Sequence, residues 1–122
     1  MVYKYILLAL ILALIDFTYL KSISKHFNTL IKRIQGSTIE LDIVASILCY
    51  LFLIFGLWYF VLRDKKPIMD AVILGLVVYG VYETTSKAII KKWDWKTVIL
   101  DTLWGGILFG LTTYVVRYLG LF

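Results

Sequence analysis

Four long apolar runs dominate the sequence, and they constrain its fold more than any other feature. A helix needs roughly 20 apolar residues to cross the hydrocarbon core of a bilayer. The first run, 2–20, has 19 residues and would be about 28 Å long as a helix, since each residue adds about 1.5 Å. Because 61% of all residues are apolar, against about 45–50% in soluble domains, these runs are predicted to span a membrane.

The limits of the runs predict an all-α fold, a bundle of four transmembrane helices with an amphipathic extension after helix one. Residues 1–122 are interpreted as one integral membrane domain, because four spans and their connections use this length. The predicted helices cover about 2–20, 38–62, 68–90 and 95–119, and the extension covers 21–35. Short connections predict antiparallel packing of helix two on three and of three on four. No small-residue cleavage site follows helix one, so we expect it to be retained.

Residues at the predicted helix ends support these limits. Gly36 ends the extension, and Ser37 with Glu40 three residues later has the spacing of a capping box that opens helix two. Pro67 suits the start of helix three, and Asp94 is the expected N-cap of helix four.

Small residues on helices three and four indicate close packing. Gly75 permits close backbone approach on helix three, and Gly106 with Gly110 forms a small-xxx-small pair on helix four. Such a pair marks a contact within the bundle or between protomers, so a homo-dimer or other homo-oligomer stays open.

The basic residues indicate a lipid partner and not a nucleic acid. The net charge is +5, but the Lys and Arg residues cluster at the ends of apolar runs, where they contact headgroups. Lys25, Lys32 and Arg33 on the extension are the predicted contacts to anionic lipid. Seven cations flank loops one and three and five lie on the other side, so the positive-inside rule favours cytoplasmic loops one and three by two charges.

Cysteine and histidine offer no recognisable site. Cys49 and His26 are each the single residue of their type, which leaves no intrachain disulfide and no zinc-ligand spacing. There is also no activated Ser or Cys and no cofactor loop. We therefore predict no catalytic residue, no metal and no cofactor.

Three acidic residues, Asp16, Glu83 and Asp101, lie inside apolar runs, where an ionisable group is costly and indicates a site or a partner. Each lies five to eight residues from a basic residue at the end of its helix that faces loops one and three. Helical rise then places all three roughly 7–12 Å below those basic residues. We predict one ligand- or ion-binding site in one leaflet, built from three helices.

The environment of these acids includes one cation and several donors. Lys87 follows Glu83 by four residues, a spacing at which helical side chains meet, so we expect it to neutralise that carboxylate. The other acids should bind a proton, find a cation or accept hydrogen bonds. The candidate supporting donors are Tyr19, Tyr79, Tyr82, Ser86 and Trp104.

Helices one and four share a short pattern, an Asp followed three residues later by an aromatic residue with a polar tip. The pairs are Asp16 with Tyr19 and Asp101 with Trp104. Since positions i and i+3 share a helical face, each aromatic side chain can lie over its own carboxylate and donate to a shared network. An internal repeat and convergent packing both explain the similarity.

These motifs resemble an uncharacterised bacterial family of small four-helix integral membrane proteins, catalogued as a domain of unknown function. The resemblance rests on LIDFTYL around Asp16, on YGVYETTSKA over 79–88, on Trp93 and on DTLWGG over 101–106. The family pattern in helix three is of the type Tyr-Asp-Leu-Thr-Asn, whereas this chain reads Tyr-Glu-Thr-Thr-Ser followed by Lys87. The resemblance implies the fold and a membrane location, and it implies no activity.

The chain also looks like the small multidrug resistance transporters, in which a Glu of helix one takes protons and cationic drugs in an antiparallel dimer. Asp16 would be that residue. Glu83, Lys87 and Asp101 do not conform, because those transporters keep their other helices nearly free of charge.

Four functions follow as alternatives. In the leading hypothesis, Asp16, Glu83 and Asp101 with Lys87 bind or move a proton, a cation or a cationic solute. In the second, the buried acids only lock the bundle. The third is binding of anionic lipid by the extension, and the fourth is acid-base chemistry on a lipid by paired carboxylates.

Overall fold

The structure is a computed structural model that describes residues 2–36 and 42–122, and every regular element in these ranges is a helix. The elements are α1 (Val2–Ser22), α2 (Ser24–Gln35), α3 (Ile43–Leu57) with a π-helical turn at its end (Trp58–Leu62), α4 (Ile68–Ile89) and α5 (Trp95–Tyr118). Four stretches are long and apolar enough to cross a membrane, namely Val2–Ser22, Ile43–Leu62, Ile68–Ile89 and Trp95–Tyr118. The predicted all-α bundle with four candidate spans is confirmed.

The extension predicted after helix one is the separate helix α2. The two helices meet at Ile23, where φ is −107° and ψ is 11°. The backbone N–H of Ile23 still bonds the carbonyl of Tyr19 at 3.1 Å, so the chain bends with little loss of hydrogen bonding. Gly36 ends α2 at a φ of 77°, in the left-handed region that glycine adopts without strain.

Aspartate N-caps open two of the spans. Asp42 before α3 and Asp94 before α5 each accept the backbone N–H of the residue three positions later, at 3.0 and 2.8 Å. Such a cap satisfies a donor that has no partner within the helix. Asp94 is thus the N-cap that the sequence predicts, whereas the capping box at Ser37 and Glu40 lies outside the described residues.

α5 is the central helix of the bundle. It packs along α4 and against α1, and α1 packs against α3. Half of the most apolar part of α5 is buried, against 11–17% in the other spans. α3 contacts α4 mainly at the π-helical turn, because its buried Leu53 and Leu57 join a core with Leu8 and Leu12 of α1. The antiparallel packing predicted for helices two and three is therefore limited to that turn.

Glycines bring the backbones of α4 and α5 into contact. A Cβ added at Gly75 would lie 2.0 Å from the carbonyl oxygen of Gly105, and one added at Gly105 would lie 2.4 Å from the ring of Tyr79. Cβ atoms on Gly106 and Gly110 would approach side chains of α4 to 2.9 and 2.6 Å. The small-xxx-small pair therefore marks a contact inside the bundle.

Candidate functional site

All three predicted acids are buried inside the bundle. Glu83 on α4 is 0% exposed, Asp16 on α1 is 6% exposed and Asp101 on α5 is 7% exposed. Acidic side chains in membrane spans normally face the protein interior in this way, because acyl chains cannot hydrogen-bond them. Each carboxyl group must then be stabilised by the surrounding side chains.

Asp16 joins three helices. Its Oδ1 accepts the indole N–H of Trp104 on α5 at 2.8 Å, and its Oδ2 accepts the hydroxyl of Tyr50 on α3. Both oxygens of this buried carboxyl group are thereby hydrogen-bonded, which is the condition for burying it at an acceptable cost. Asp16 therefore holds α1 between α3 and α5.

Asp101 on α5 accepts a hydrogen bond from α1, whereas Asp16 on α1 accepts one from α5. The hydroxyl of Tyr19 on α1 donates to Oδ1 of Asp101 on α5. The ring of Tyr19 stacks on the indole of Trp104, with centroids 4.5 Å apart and an angle of 6° between the planes. The donors to Asp101 and Asp16 are thus in contact with each other.

The expectation that each aromatic side chain lies over its own carboxylate is wrong, because the two pairs are exchanged between the helices. Tyr19 follows Asp16 but serves Asp101, and Trp104 follows Asp101 but serves Asp16. α1 and α5 run antiparallel, so the step of three residues from the acid to the aromatic residue, about 4.5 Å along the axis, points in opposite directions on the two helices. The aromatic residue of one helix then lies level with the acid of the other. Antiparallel packing explains the shared pattern without a repeat.

Glu83 is held less completely. Its Oε1 accepts the indole N–H of Trp93 at 2.9 Å, whereas its Oε2 is buried and has no hydrogen-bond partner among the described residues. The carboxyl group of Asp101 is its close electrostatic neighbour. Glu83 and Asp101 therefore form a carboxyl pair at the interface of α4 and α5.

These contacts make one acidic network, which we define as the carboxyl groups of Asp16, Glu83 and Asp101 with their aromatic donors. The donors are Tyr19, Tyr50, Trp93 and Trp104. The network draws residues from four spans and from the connection before α5. Hydrogen-bonded polar groups arranged in this way can fix helix positions and can hold a shared proton.

Lys87 does not join the acidic network, and the expected pairing with Glu83 is absent. Among the described residues its Nζ lies 3.5 Å from the carbonyl oxygen of Lys91 and 5.8 Å from the ring of Trp95. Lys87 thus extends away from Glu83 toward the end of the helix, as long cationic side chains do near a membrane boundary. Glu83 forms no ion pair within the described residues.

The other predicted donors divide into two groups. Tyr79 lies on the packed side of α4 against Gly105, near the acids. Tyr82 is 59% exposed, and the hydroxyl of Ser86 donates to the carbonyl of Tyr82 at 2.9 Å. Tyr82 and Ser86 therefore contribute no hydrogen bond to the acids among the contacts described.

Two donors are not among the site residues predicted from the sequence. Trp93 is singled out only by the family resemblance, and Tyr50 is one of many aromatic residues in its span. Depth along the helix was a usable signal for Tyr50, because it lies eight residues after Asp42, or about 12 Å from the start of α3. That is the level predicted for the acids.

α2 covers the acidic network at the end of the bundle where loops one and three lie. Its buried Leu30 packs with Trp93 and Val98, and the ring of Phe27 meets the indole of Trp93 edge to face at 6.4 Å. Trp93, only 5% exposed, thus lies between α2 and Glu83. The apolar face of the amphipathic helix is occupied by protein, while Lys25, Lys32 and Arg33 remain exposed. Their contact with anionic lipid stays a prediction.

Polar contacts hold the start of α5 beneath this cover. The Nε2 of His26 on α2 is 2.7 Å from the hydroxyl oxygen of Thr97 and 3.9 Å from Oδ1 of Asp94. Partial burial acts to raise the pKa of Asp94, but hydrogen bonds from Thr97 and the nearby His26 and Arg33 lower it overall. Asp94 is therefore well suited to remain an ionised N-cap.

The acidic network is buried, since its three acids are at most 7% exposed. Pockets lie at the opposite end of the bundle and between Phe60 and α4. Within residues 2–36 and 42–122, no three His, Cys, Asp or Glu side chains are grouped so that they could hold a metal ion. The chemistry available at this site is that of carboxyl groups and their hydrogen-bond donors.

Comparison with known proteins gives the family of the chain. No curated protein and no solved structure matches it. The sequence model of a family described as "Predicted membrane protein (DUF2177)" matches residues 1–118, which is nearly the whole length. Together with the four candidate spans, this match shows an integral, multi-pass membrane protein. The chain belongs to the DUF2177 family of predicted membrane proteins.

Proposed function

We propose that this membrane protein binds and releases a proton within one leaflet, at the carboxyl pair of Glu83 and Asp101. One observation carries the proposal: Oε2 of Glu83 is buried without a donor among the described residues, while the carboxyl group of Asp101 is a close electrostatic neighbour. Two adjacent carboxyl groups in a medium of low dielectric constant do not both ionise readily. A proton shared by the pair supplies the missing donor.

The proton is the species that this geometry supports best. A proton needs only the space between two neighbouring carboxyl groups, whereas a cationic solute needs a cavity beside the acids. Lys87 is directed away from Glu83, so it does not provide the positive charge in place of a proton.

The surroundings of the pair give a direction for exchange. Tyr19 donates to Asp101 from the side of α1, and Trp93 donates to Glu83 from the side of the loops. Because Trp93 lies between α2 and Glu83, displacement of α2 and Trp93 would expose Glu83 to water at this end. We therefore propose that the proton is released at the end of the bundle that α2 covers.

Infrared difference spectroscopy of the reconstituted protein tests proton binding. During a pH titration, the wild type should show a carbonyl stretch of a protonated carboxyl group that Glu83→Gln and Asp101→Asn each remove. Asp70→Asn, which changes an exposed acid of α4, is the matched control and should leave the band unchanged. A band that persists in both pair variants would exclude the Glu83–Asp101 pair as the proton site.

Vesicles with an internal pH dye test movement of the proton. Under an imposed pH gradient, wild-type vesicles should equilibrate faster than empty vesicles, and Glu83→Gln should abolish the difference. Equal rates with and without protein would leave a binding site that moves no proton across the membrane.

A structural lock is the second candidate, favoured by a specific observation. Tyr19, Tyr50 and Trp104 each donate to an acid on a different helix, so the network fixes helix positions whatever else it does. This function predicts variants with lowered thermal stability, together with an absence of the pH-dependent band in the wild type. Protonation and stability thus separate the two candidates.

A further inference from the structure

The end of the bundle opposite the acids carries a pocket that the acidic network does not use. The first turn of α1, the π-helical turn of α3 and the segment after α5 surround a volume of about 280 Å³. Small-molecule sites start at roughly 300 Å³, so this space suits a small polar group. We name it the basic pocket, and its main lining side chains are Lys4, Tyr5, Trp58, Arg63, Lys65 and Phe122.

The cations of the basic pocket are poorly neutralised. Lys4 and Lys65 form no ion pair among the described residues, and Arg63 meets Asp64 at 3.8 Å in a pair whose side chains are 43% and 55% exposed. An exposed pair of this kind contributes little free energy. The Nζ of Lys4 instead faces aromatic rings, 4.9 Å from the centroid of Phe122. The pocket therefore keeps an excess of positive charge.

The π-helical turn places part of this charge. The backbone N–H of Arg63 bonds the carbonyl of Trp58, five residues earlier, at 2.8 Å. The wide turn brings the guanidinium of Arg63 to 4.0 Å from the ring centroid of Tyr59 and 5.9 Å from that of Trp58. Single π-helical turns within α-helices are frequent at functional sites. Here the turn orients a cation at the pocket wall.

The connection after this turn is fixed to α5. Lys65 has a φ of 54°, which few residues other than glycine adopt. The neighbouring carbonyl of Lys66 accepts the guanidinium of Arg117 at 2.5 Å, which ties the connection to the end of α5. Lys65 is thus presented from a turn with a defined position.

The basic pocket also lies at the level of the lipid headgroups. The candidate spans begin at Val2 and Ile68 and end at Leu62 and Tyr118 on this side, so the pocket sits where the apolar stretches stop. Tyr and Trp beside Lys and Arg are typical of this boundary. A phosphate group of the bilayer is therefore already present at the depth of the pocket.

We propose that the basic pocket binds the phosphate group of an anionic phospholipid. Lys and Arg are the side chains that bind phosphate in proteins, Arg through two parallel hydrogen bonds and Lys as a point charge. The aromatic side chains would pack against the glycerol and the start of the acyl chains. This site is distinct from the exposed cations of α2, which lie at the other end of the bundle.

Native mass spectrometry of the protein released from mixed micelles tests this site, with phosphatidylglycerol and phosphatidylcholine as probes. The variant Lys4→Gln/Arg63→Gln/Lys65→Asn removes three charges, and Asn tolerates the positive φ at the third position. We expect its retention of phosphatidylglycerol to fall on the order of a hundredfold, since each of the three cations contributes about fivefold. Retention of phosphatidylcholine should be low in both proteins.

The matched control is Lys21→Gln/Lys91→Gln/Lys96→Gln, which removes the same charge from three exposed cations at the other end of the bundle and should retain phosphatidylglycerol like the wild type. A charge-preserving variant, Lys4→Arg/Lys65→Arg, leaves Arg63 in place and separates charge from folding, so it should keep retention within about threefold of the wild type. If the neutral variant does not fold, Lys65→Asn alone provides the measurement, with an expected loss of about fivefold.

Three results would overturn the proposal. Equal losses in the two neutral triple variants would show general surface attraction, and equal retention of both lipids would remove the preference for anionic headgroups. Displacement of the lipid by millimolar inorganic phosphate would identify free phosphate as the ligand. Lipid that stays bound under that phosphate supports the headgroup assignment.

Discussion

The two ends of this bundle use the same types of aromatic residue to stabilise opposite charges. In the acidic network, Tyr and Trp point hydroxyl and N–H groups at carboxyl oxygens. In the basic pocket, cations lie over ring faces, as Arg63 does over Tyr59 and Trp58. The edge of an aromatic ring and its polar tip are positive, while its face is negative. Orientation, and not residue type, therefore decides which charge each end accepts.

The two ends also differ in their exposure to solvent, and this exposure decides how much stability a substitution removes. Asp16, Glu83 and Asp101 are at most 7% exposed, and α2 covers Trp93 beside them. Lys65 and Arg63 at the other end are exposed and open to water or headgroups. Loss of one partner in a closed network leaves another buried polar group unsatisfied. Loss of one cation in an open pocket leaves its neighbours solvated, so binding should suffer and stability should not.

Asp16→Ala should give the largest effect on stability. It leaves the hydroxyl of Tyr50 and the indole N–H of Trp104 without an acceptor. At roughly 1 kcal/mol for each hydrogen bond within a membrane protein, we expect a loss of about 2 kcal/mol in the free energy of unfolding. Unfolding in mixed micelles, followed by circular dichroism, measures this loss.

Lys4→Gln is the matched change at the basic pocket and should alter the free energy of unfolding by less than about 0.5 kcal/mol. Equal losses for the two variants would contradict the contrast between a closed and an open end.

Double-mutant cycles should resolve the exchange of partners between α1 and α5. The cross-helix pairs are Tyr19 with Asp101 and Trp104 with Asp16, and each should show a coupling free energy of about 0.5–1.5 kcal/mol. The pairs within each helix, Asp16 with Tyr19 and Asp101 with Trp104, should couple by less than about 0.3 kcal/mol. The substitutions are Tyr19→Phe, Trp104→Phe, Asp16→Asn and Asp101→Asn, compared by their free energies of unfolding. Stronger coupling within a helix than between helices would contradict the exchanged arrangement.

Much of this architecture is predictable from the sequence, and the failures have a common physical cause. Apolar length and helical rise predict the four spans and the shared depth of Asp16, Glu83 and Asp101, because both follow from spacing along one chain. The exchange of Tyr19 and Trp104 does not follow, because it depends on the direction of a neighbouring helix. The predicted pairing of Lys87 with Glu83 is wrong for a related reason. The spacing permits the contact, but the Nζ of Lys87 extends to the carbonyl of Lys91 at the end of the helix.

The end covered by α2 also contains contacts that the sequence does not predict, because they depend on tertiary packing. The amphipathic pattern of α2 predicts an apolar face, yet its partner is Trp93 and not only the membrane surface. Tyr50 looks like one aromatic residue among many until α3 is placed against α1. The basic pocket is invisible in the sequence, since Lys4, Arg63 and Phe122 are far apart along the chain and meet only when the spans pack.

The smallest effect should come from Asp94, at the rim of the closed end, and it depends on pH. The pKa of Asp94 in the folded protein lies below its ordinary value of 3.8, because hydrogen bonds from Thr97 with nearby His26 and Arg33 outweigh the effect of burial. A carboxylate of this kind stabilises the fold above its ordinary pKa, and the stabilisation disappears as the pH falls through the lower, folded value. Acidification below pH 3.8 should therefore weaken the start of α5.

The NMR signal of the Thr97 backbone N–H, which bonds Asp94 at 2.8 Å, should shift over this pH range in the wild type. Asp94→Asn keeps a good N-cap but cannot titrate, so its Thr97 signal should stay constant. The same shift in both proteins would show that another group at this end, and not the exposed N-cap, responds to acid.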